Sequence, residues 1–288
     1  IITQGYISPF IFITKRNDMD QSIENAVKKN TMANVNKKIG KNRWTICALL
    51  FFATTLNYLD RSVISLLKPD LEERFNWTES DYADIVIAFQ LAYALGMLLA
   101  GRFIDKVGTK LGYAISLIVW SIASMGHALV RSTMGFVVAR GLLGISEAGN
   151  FPAAIKTTAE WFPKKERALA TGIFNSGANV GAILAPLTVP YIAVHWGWQE
   201  AFVFTGALGF IWLIFWFIYY AVPAKQKRLS KKEYDYIHSD IDEQESLEAL
   251  EGKDVESVKK TPWLRLLGYK QSWAFIFGKF LTDPIWWF

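Results

Sequence analysis

The sequence predicts an all-α membrane protein, because its apolar and charged residues are segregated along the chain. Residues 168–194 and 201–224 contain no charged side chain, whereas 18 of the 36 residues in 225–260 are charged. Averaging over all 288 residues hides this segregation, since 52% are hydrophobic, 20% are charged and the mean hydropathy is only +0.19. A helix needs about 20 mostly apolar residues to cross the hydrocarbon core of a bilayer. The apolar runs are therefore long enough to be membrane spans.

Six complete spans and the beginning of a seventh meet this length requirement. They lie at 44–67, 82–101, 112–131, 133–155, 168–194, 200–222 and 273–288. Because the seventh run stops short of a full span, we expect the chain to be a fragment that lacks a C-terminal portion. The expected parts are an N-terminal tail at 1–43, a six-span bundle at 44–222, a polar loop at 223–272 and the start of helix seven. Within the tail, residues 1–31 are expected to be non-native sequence or poorly ordered.

The basic residues between the spans predict which side of the membrane each loop occupies. Cytoplasmic loops carry an excess of lysine and arginine. The basic residues at 37, 38, 41, 43, 102, 106, 110, 164, 165, 167, 225, 227, 228, 231 and 232 number fifteen and lie on the side that holds the tail and the loop at 223–272, whereas Lys68, Arg74 and Arg131 lie on the other side. We therefore expect the tail and the loop to be cytoplasmic.

Several classes of function are excluded by residue usage. The single cysteine, Cys47, rules out an internal disulfide framework, and the three histidines are widely separated, so no metal site is expected. No nucleophile, base and metal occur in a pattern that indicates an enzyme, and no glycine loop is suited to hold a phosphate. The net charge of +5 comes from dispersed basic clusters, not from one basic stripe, so nucleic acid is not an expected partner. No cofactor is expected.

Four charged residues inside the spans carry the functional prediction. Asp60 and Arg61 lie in the first span, and Arg140 and Glu147 lie in the fourth. Each costs about 2.5–3.5 kcal/mol at the centre of a span, so each requires a partner, a water-filled cavity or a function. Arg140 and Glu147 are seven residues apart and share one helical face. We expect both pairs to face a common cavity in which two arginines and two carboxylates compensate one another.

Polar side chains in the same and neighbouring spans favour a hydrated binding cavity over ion pairs that only hold helices together. They are Tyr58, Tyr93, Gln90, Asn175 and Asn179. A guanidinium group stays charged and offers a planar fork to a carboxylate, so the arginines are candidates to bind an anion. The two acids are the candidates for coupling to a proton.

The segment at 101–110, GRFIDKVGTK, joins the second and third spans. It matches the pattern G-x-x-x-D-[RK]-x-G-x-[RK] at Gly101, Asp105, Lys106, Gly108 and Lys110. This segment resembles the signature loop of the major facilitator superfamily, and the arginine and glycine of the fourth span resemble its fourth-span pattern. The resemblance covers about 34–288. It implies the N-terminal six-helix bundle of a twelve-helix transporter, with the loop acting as part of the inner gate; its two glycines are expected to permit a tight turn.

Four further strings resemble the anion:cation symporter family and, within it, bacterial hexuronate transporters. They are NYLDR (57–61), ARGLLGISEA (139–148), AEWFPKKERALATGIFNSGANVGAILAP (159–186) and KFLTDPIWWF (279–288). The resemblance implies that Asp60 and Glu147 couple to protons and that the acidic sugar is bound by Tyr58, Arg61, Tyr93 and Arg140. Some hexuronate members lack an acid at the position of Asp60, so the resemblance favours Glu147 as the proton site.

The expected function is therefore uptake of a hexuronate, galacturonate or glucuronate, together with protons across a bacterial inner membrane. Tyr58, Tyr93, Asn175 and Asn179 are expected to bond the sugar hydroxyls. The expected partners are the small sugar acid and the lipid bilayer, and the full-length protein is expected to be a monomer. The open alternatives are another sugar acid such as galactonate or glucarate, coupling to sodium, and a membrane sensor that does not transport.

Overall fold

The computed structural model describes residues 40–239, 265 and 268–287, with side chains except those of 279 and 283–287. The predicted tail before residue 40 and most of the predicted polar loop lie outside the described residues. All regular structure in the described ranges is helical.

Eight helices follow one another between residues 42 and 219. They are α1 Asn42–Leu66, α2 Lys68–Phe75, α3 Glu79–Val107, α4 Thr109–Gly126, α5 Thr133–Glu147, α6 Asn150–Trp161, α7 Lys164–Trp196 and α8 Trp198–Tyr219. Short 3₁₀ turns at His127–Leu129 and Pro223–Lys225 follow α4 and α8. A ninth helix, α9, occupies 231–239. These elements belong to one compact unit; α10, Lys270–Trp287, belongs to a second unit and is described separately.

Four helical segments are long and apolar enough to cross a membrane. They are Glu79–Val107, Thr109–Leu129, Lys164–Trp196 and Trp198–Tyr219. They coincide with the second, third, fifth and sixth predicted spans. Helix α1 coincides with the first predicted span and has the necessary length, but it carries Asp60 and Arg61 among its apolar residues.

The fourth predicted span differs from the prediction of one continuous helix. Between α5 and α6 the helix is interrupted at Ala148 and Gly149. Gly149 lies so close to the hydroxyl of Ser116 on α4 that an added Cβ would overlap it. Tyr113, also on α4, donates a 2.6 Å hydrogen bond to Asn150 Oδ1 at the start of α6. The interruption therefore lies where the chain packs tightly against α4.

The turn after α3 depends on one glycine and not on two as the sequence motif suggested. Helix α3 continues through Gly101, around which there is open space, and ends at Val107. Gly108 has a φ of +88°, a conformation that side chains rarely adopt. Gly108 thus makes the tight turn, whereas Gly101 lies inside a helix.

Helix α9 is attached to the beginning of α1 although it belongs to the segment predicted to be a polar loop. The side chain of Glu233 is fully buried, and its Oε1 accepts a 3.1 Å hydrogen bond from the backbone N–H of Arg43. Arg43 Nε in turn donates to Glu166 Oε2 on α7 at 2.8 Å. A carboxylate that satisfies a free N–H in the first turn of a helix is stabilising. Residues 231–239 are therefore part of the bundle.

Two close helix pairs position the charged residues. Gly177 and Gly181 bring α7 against the backbone of α1, and Gly96 and Gly144 bring α5 and α3 together. Small residues allow membrane helices to approach until their backbones touch. Gly144 faces the carbonyl oxygen of Phe89, so the spacing of α3 and α5 depends on this glycine.

Replacing Gly144 with alanine is therefore expected to destabilise the protein by about 1–3 kcal/mol, because overpacking forces the backbones apart. Gly141, one turn earlier on α5, has nothing within 4 Å of an added Cβ and provides the matched control. The melting temperature of the purified full-length protein in detergent tests this prediction. Equal melting temperatures for Gly144→Ala and Gly141→Ala would contradict it.

The interior of the bundle contains two apolar clusters. On α1, Ala53 belongs to the first cluster, and Leu59 and Val63 belong to the second. The first cluster is rich in aromatic rings, among them Tyr113, Trp120, Trp161, Trp212, Trp216 and Tyr220. Asp60 and Arg61 follow Leu59 and precede Val63, so they lie in the part of α1 that packs in the second cluster.

Candidate functional site

An ion pair joins the first and fourth predicted spans. Arg61 on α1 donates to Glu147 Oε2 on α5 from Nε at 3.2 Å and from Nη2 at 3.1 Å. The side chain of Glu147 is fully buried, and that of Arg61 is 18% exposed. Breaking such a buried pair by removing one partner costs about 3–5 kcal/mol. The pair therefore holds α1 to α5 for as long as the glutamate is ionised.

Three aromatic rings surround the guanidinium group of Arg61. Its central carbon lies 5.0 Å from the ring centre of Tyr58, 4.9 Å from that of Phe89 and 4.7 Å from that of Tyr93. A cation over an aromatic face is attracted by about 0.5–2 kcal/mol per ring. Phe89 did not emerge from the sequence as a site residue; the signal that could have identified it is its position one turn before Tyr93, against which it stacks at 5.9 Å.

Arg140 also contacts Phe89, with its guanidinium carbon 4.8 Å from the ring centre. The residue is 4% exposed. Nη2 donates to the backbone carbonyl oxygen of Arg61 at 3.2 Å, while Nε and Nη1 have no hydrogen-bond partner. Buried polar groups are almost always paired, so buried guanidinium nitrogens without a partner indicate where an anion or water binds. One oxygen of Glu147, Oε1, is also unpaired.

The ion-pair partner of Glu147 lies on another helix, although Arg140 shares its helical face. Arg140 and Glu147 do lie on α5, but the ion pair of Glu147 in the described residues is with Arg61. A spacing of seven residues places the two Cα atoms roughly 10 Å apart along the helix axis. The two side chains would have to extend toward each other to make contact. Arg61, on the neighbouring helix α1, is close enough to bind the carboxylate of Glu147.

Asp60 has no ion pair with these charges in the described residues, and the common cavity for four charges stays a prediction. Its carboxylate turns to α4, where Ser124 Oγ donates to Oδ1 at 3.0 Å, and Thr205 of α8 and Trp120 of α4 lie beside it. Asp60 is 1% exposed. Consecutive residues on a helix point about 100° apart, which explains why Asp60 and Arg61 face different neighbours.

The residues predicted to bind the sugar hydroxyls include Tyr58 on α1 and two asparagines on α7. Tyr58 is half-buried, and its Cβ lies next to Gly181 of α7. Asn175 and Asn179 are exposed on α7. Their assignment to a sugar remains a prediction.

The loop motif between α3 and α4 makes contacts on two sides. Asp105 Oδ1 lies 2.6 Å from Lys156 Nζ on α6, and Lys110 Nζ donates to the carbonyl oxygen of Phe217 on α8 at 3.3 Å. Lys106 is exposed. The sequence did not indicate Lys156, which lies one residue beyond the fourth predicted span. In the described part of the chain, no cluster of three potential metal-binding side chains occurs.

Comparison with known proteins gives matches over most of the chain. The sequence model of the Major Facilitator Superfamily matches residues 50–288. The hexuronate transporter of Escherichia coli K12 is 38% identical over 250 residues, which cover 87% of this chain and 56% of that protein. The galacturonate transporter of Dickeya chrysanthemi is 36% identical over 249 residues, covering 86% of this chain and 70% of that protein. The D-galactonate transporter of Escherichia coli O6:H1 is 33% identical over 201 residues, which cover 69% of this chain and 46% of that protein.

These relatives are transporters and not enzymes, and the chain spans roughly half to two-thirds of their length. A solved structure of similar fold is a bacterial homologue of the human lysosomal transporter Spinster, in an inward-facing and unoccupied conformation. Its TM-score is 0.57 at 22% identity, and the match covers 64% of this chain and 44% of that one. The signature loop, the helical bundle and these matches agree: the chain belongs to the major facilitator superfamily.

Proposed function

We propose that this chain is the first bundle of a transporter that takes up a hexuronate, such as galacturonate or glucuronate, together with protons. The observation that carries the proposal is the buried guanidinium of Arg140, which has two unpaired nitrogens next to the Arg61–Glu147 pair. A planar guanidinium is suited to bidentate binding of a carboxylate. The names of the hexuronate and galacturonate transporters support a sugar acid as the anion.

Coupling to protons follows because Glu147 and the sugar carboxylate compete for Arg61. While Glu147 is ionised it holds Arg61 through two hydrogen bonds. A proton on Glu147 removes its charge and releases Arg61, so that both arginines can bind the sugar carboxylate. When the proton leaves toward the cytoplasm, the ion pair re-forms and the anion is expelled. While the sugar is bound, Tyr58 and Tyr93 would contact its ring and hydroxyls, together with Asn175 and Asn179.

The loop motif is proposed to contribute to the inner gate. Asp105 is paired with Lys156, yet its side chain remains 69% exposed and can therefore meet another part of the protein. In this proposal the two six-helix bundles of the full-length monomer rock around a central site and open it alternately to each side of the membrane, as in other transporters built from repeats. The tail and the loop after α8 would face the cytoplasm of a bacterium, since most of the basic residues lie on that side.

A second candidate is a symporter of another sugar acid, which the similarity to a D-galactonate transporter favours. Both candidates use the same arginines, because a guanidinium group recognises any carboxylate. They differ in the hydroxyl pattern of the ligand, so competition between substrates separates them.

Uptake by proteoliposomes that contain the full-length protein tests the proposal. Radiolabelled galacturonate is expected to accumulate when an inward proton gradient is imposed, and unlabelled glucuronate is expected to compete with it. Galactose, which lacks the carboxylate, is expected not to compete. Accumulation that follows a sodium gradient and ignores the proton gradient would refute proton coupling. Preferred competition by galactonate or glucarate would favour the second candidate, and binding without flux would indicate a sensor.

A further inference from the structure

The aromatic ring of Phe89 contacts both arginines of the site. The guanidinium carbon of Arg61 lies 4.9 Å from the ring centre, and that of Arg140 lies 4.8 Å from it. Phe89 is 2% exposed, so its ring is shielded from bulk water. The face of an aromatic ring carries negative charge and attracts a cation, more strongly where water is excluded. One apolar side chain therefore stabilises two positive groups.

The two arginines depend on this ring to different degrees. Arg61 also contacts two tyrosine rings and is paired with Glu147. Arg140 has no ion pair in the described residues, and its guanidinium group makes one hydrogen bond there, from Nη2 to the carbonyl oxygen of Arg61. The position of the Arg140 guanidinium group thus rests on that bond and on the ring of Phe89.

The arrangement places two like charges next to each other in a buried part of the bundle. Like charges repel strongly where the dielectric constant is low. The carboxylate of Glu147 compensates one of them through its ion pair with Arg61. The ring of Phe89 offsets part of the remaining repulsion, and it keeps Arg140 near Arg61 before an anion arrives. A site that is ordered in advance loses less conformational entropy when its ligand binds.

The backbone of Phe89 makes a separate contact that a side-chain substitution leaves in place. Its carbonyl oxygen faces Gly144 and sets the spacing of α3 and α5. The contact with the arginines, in contrast, belongs to the ring alone. The effect of the ring can therefore be tested while the two helices keep their spacing.

We infer that Phe89 is a positioning residue of the carboxylate site, whose ring holds the guanidinium group of Arg140 beside that of Arg61 so that both can bind one carboxylate. This inference rests on the proposed function, since it assigns a determinant of affinity to the same site. Phe89 cannot exchange a proton, so it affects the affinity for the anion and leaves coupling to Glu147.

Fluorine NMR of the full-length protein in detergent tests the contact without any substrate. The chemical shift of a monofluorophenylalanine at position 89 reports the electric field of nearby charges, so Arg140→Gln should move the resonance. Phe174 provides the matched control, because it is fully buried on α7 and packs against Phe151. The same label at position 174 should not respond to Arg140→Gln. An unchanged resonance at position 89 would overturn the inference.

Galacturonate binding to the same protein tests the effect on affinity. Each fluorine added to the ring withdraws electrons from its face and changes its shape little. From mono- to trifluorophenylalanine at position 89, the affinity should therefore fall stepwise, by about 2- to 30-fold in total. Phe89→Leu, which has no aromatic face, should lose affinity in the same range. The fluorinated series at position 174 and Phe174→Leu should keep the affinity of the unmodified protein.

A ring that only fills space gives a different pattern. In that case fluorination at position 89 would leave the affinity unchanged, and the inference would be wrong. If the inference holds, the pH dependence of galacturonate accumulation should be the same in the fluorinated and unmodified proteins, because Glu147 still ionises. A change in that pH dependence without a loss of affinity would also contradict it.

The choice of ligand separates this inference from the proposed function. If galactonate binds and galacturonate does not, the proposed substrate is wrong, and a stepwise loss of galactonate affinity on fluorination at position 89 still supports the inference. If galacturonate is taken up with protons but neither its affinity nor the fluorine resonance responds as described, the proposed function stands and the role of Phe89 is refuted.

Discussion

Replacing Arg140 by alanine is expected to weaken binding of the sugar acid strongly. The unpaired Nε and Nη1 of this residue are the buried donors that the structure leaves for a carboxylate, since Glu147 occupies Nε and Nη2 of Arg61. Truncating one partner of a buried, hydrogen-bonded charge pair costs about 2–5 kcal/mol. The apparent affinity for galacturonate should therefore fall by about 30-fold or more. Equilibrium binding of labelled galacturonate to the purified full-length protein measures the loss.

Two variants make this result specific. Arg140→Lys keeps the charge but loses the planar fork, so we expect it to recover only part of the affinity. Arg131 lies outside the bundle core and donates to the carbonyl oxygens of Ala128 and Val130. Arg131→Ala should leave galacturonate binding unchanged. Full affinity in Arg140→Ala would remove the basis of the carboxylate assignment.

Replacing Glu147 by glutamine is expected to separate binding from proton-driven accumulation. Glutamine cannot ionise, so Arg61 loses its buried counter-charge and stays available to the sugar at every pH. Exchange of external for internal galacturonate should persist and should become nearly independent of pH. Accumulation against a concentration gradient should be lost, because no proton has to leave before the anion does. Counterflow and gradient-driven uptake in the same proteoliposomes measure the two activities.

Glu160 on α6 offers a matched control for this substitution. It is a partly buried glutamate that accepts 2.6 Å hydrogen bonds from Thr109 and Tyr220, away from the arginines. Glutamine keeps one acceptor oxygen, and its amide N–H can donate to the other hydroxyl, so Glu160→Gln is expected to keep accumulation and its pH dependence. Undiminished accumulation by Glu147→Gln would show that this glutamate does not couple transport to protons.

The sequence identified most of the helices and the four charged residues because both depend on local composition. An apolar run of about 20 residues must satisfy its backbone hydrogen bonds internally, so it forms a helix wherever it meets a membrane. The loop motif pointed to the turn between α3 and α4 for a similar reason, as Gly108 adopts a φ of +88°. Charges in such runs are conspicuous because they are costly.

The partners of those charges could not be derived in the same way. Helical spacing placed Arg140 and Glu147 on one face, but the ion pair depends on which other helix lies opposite that face. The contact between Gly144 and Phe89 brings α3 against α5, and both arginines lie within 5 Å of the centre of the Phe89 ring. Nothing in the local sequence of α5 specifies Arg61 as the group that reaches Glu147.

By itself the sequence determined that this chain is a bundle of membrane helices with two arginines and two acids inside, since hydropathy and charge are properties of single segments. Only the tertiary structure decided that one acid is paired and the other is not. Asp60 and Arg61 are neighbours in the chain, yet they point about 100° apart on α1 and so meet different helices. Arg61 meets the carboxylate of Glu147 at 3.1 Å, and Asp60 meets the hydroxyl of Ser124 at 3.0 Å. The division into an ion pair and a hydroxyl-lined pocket is therefore a consequence of helix packing.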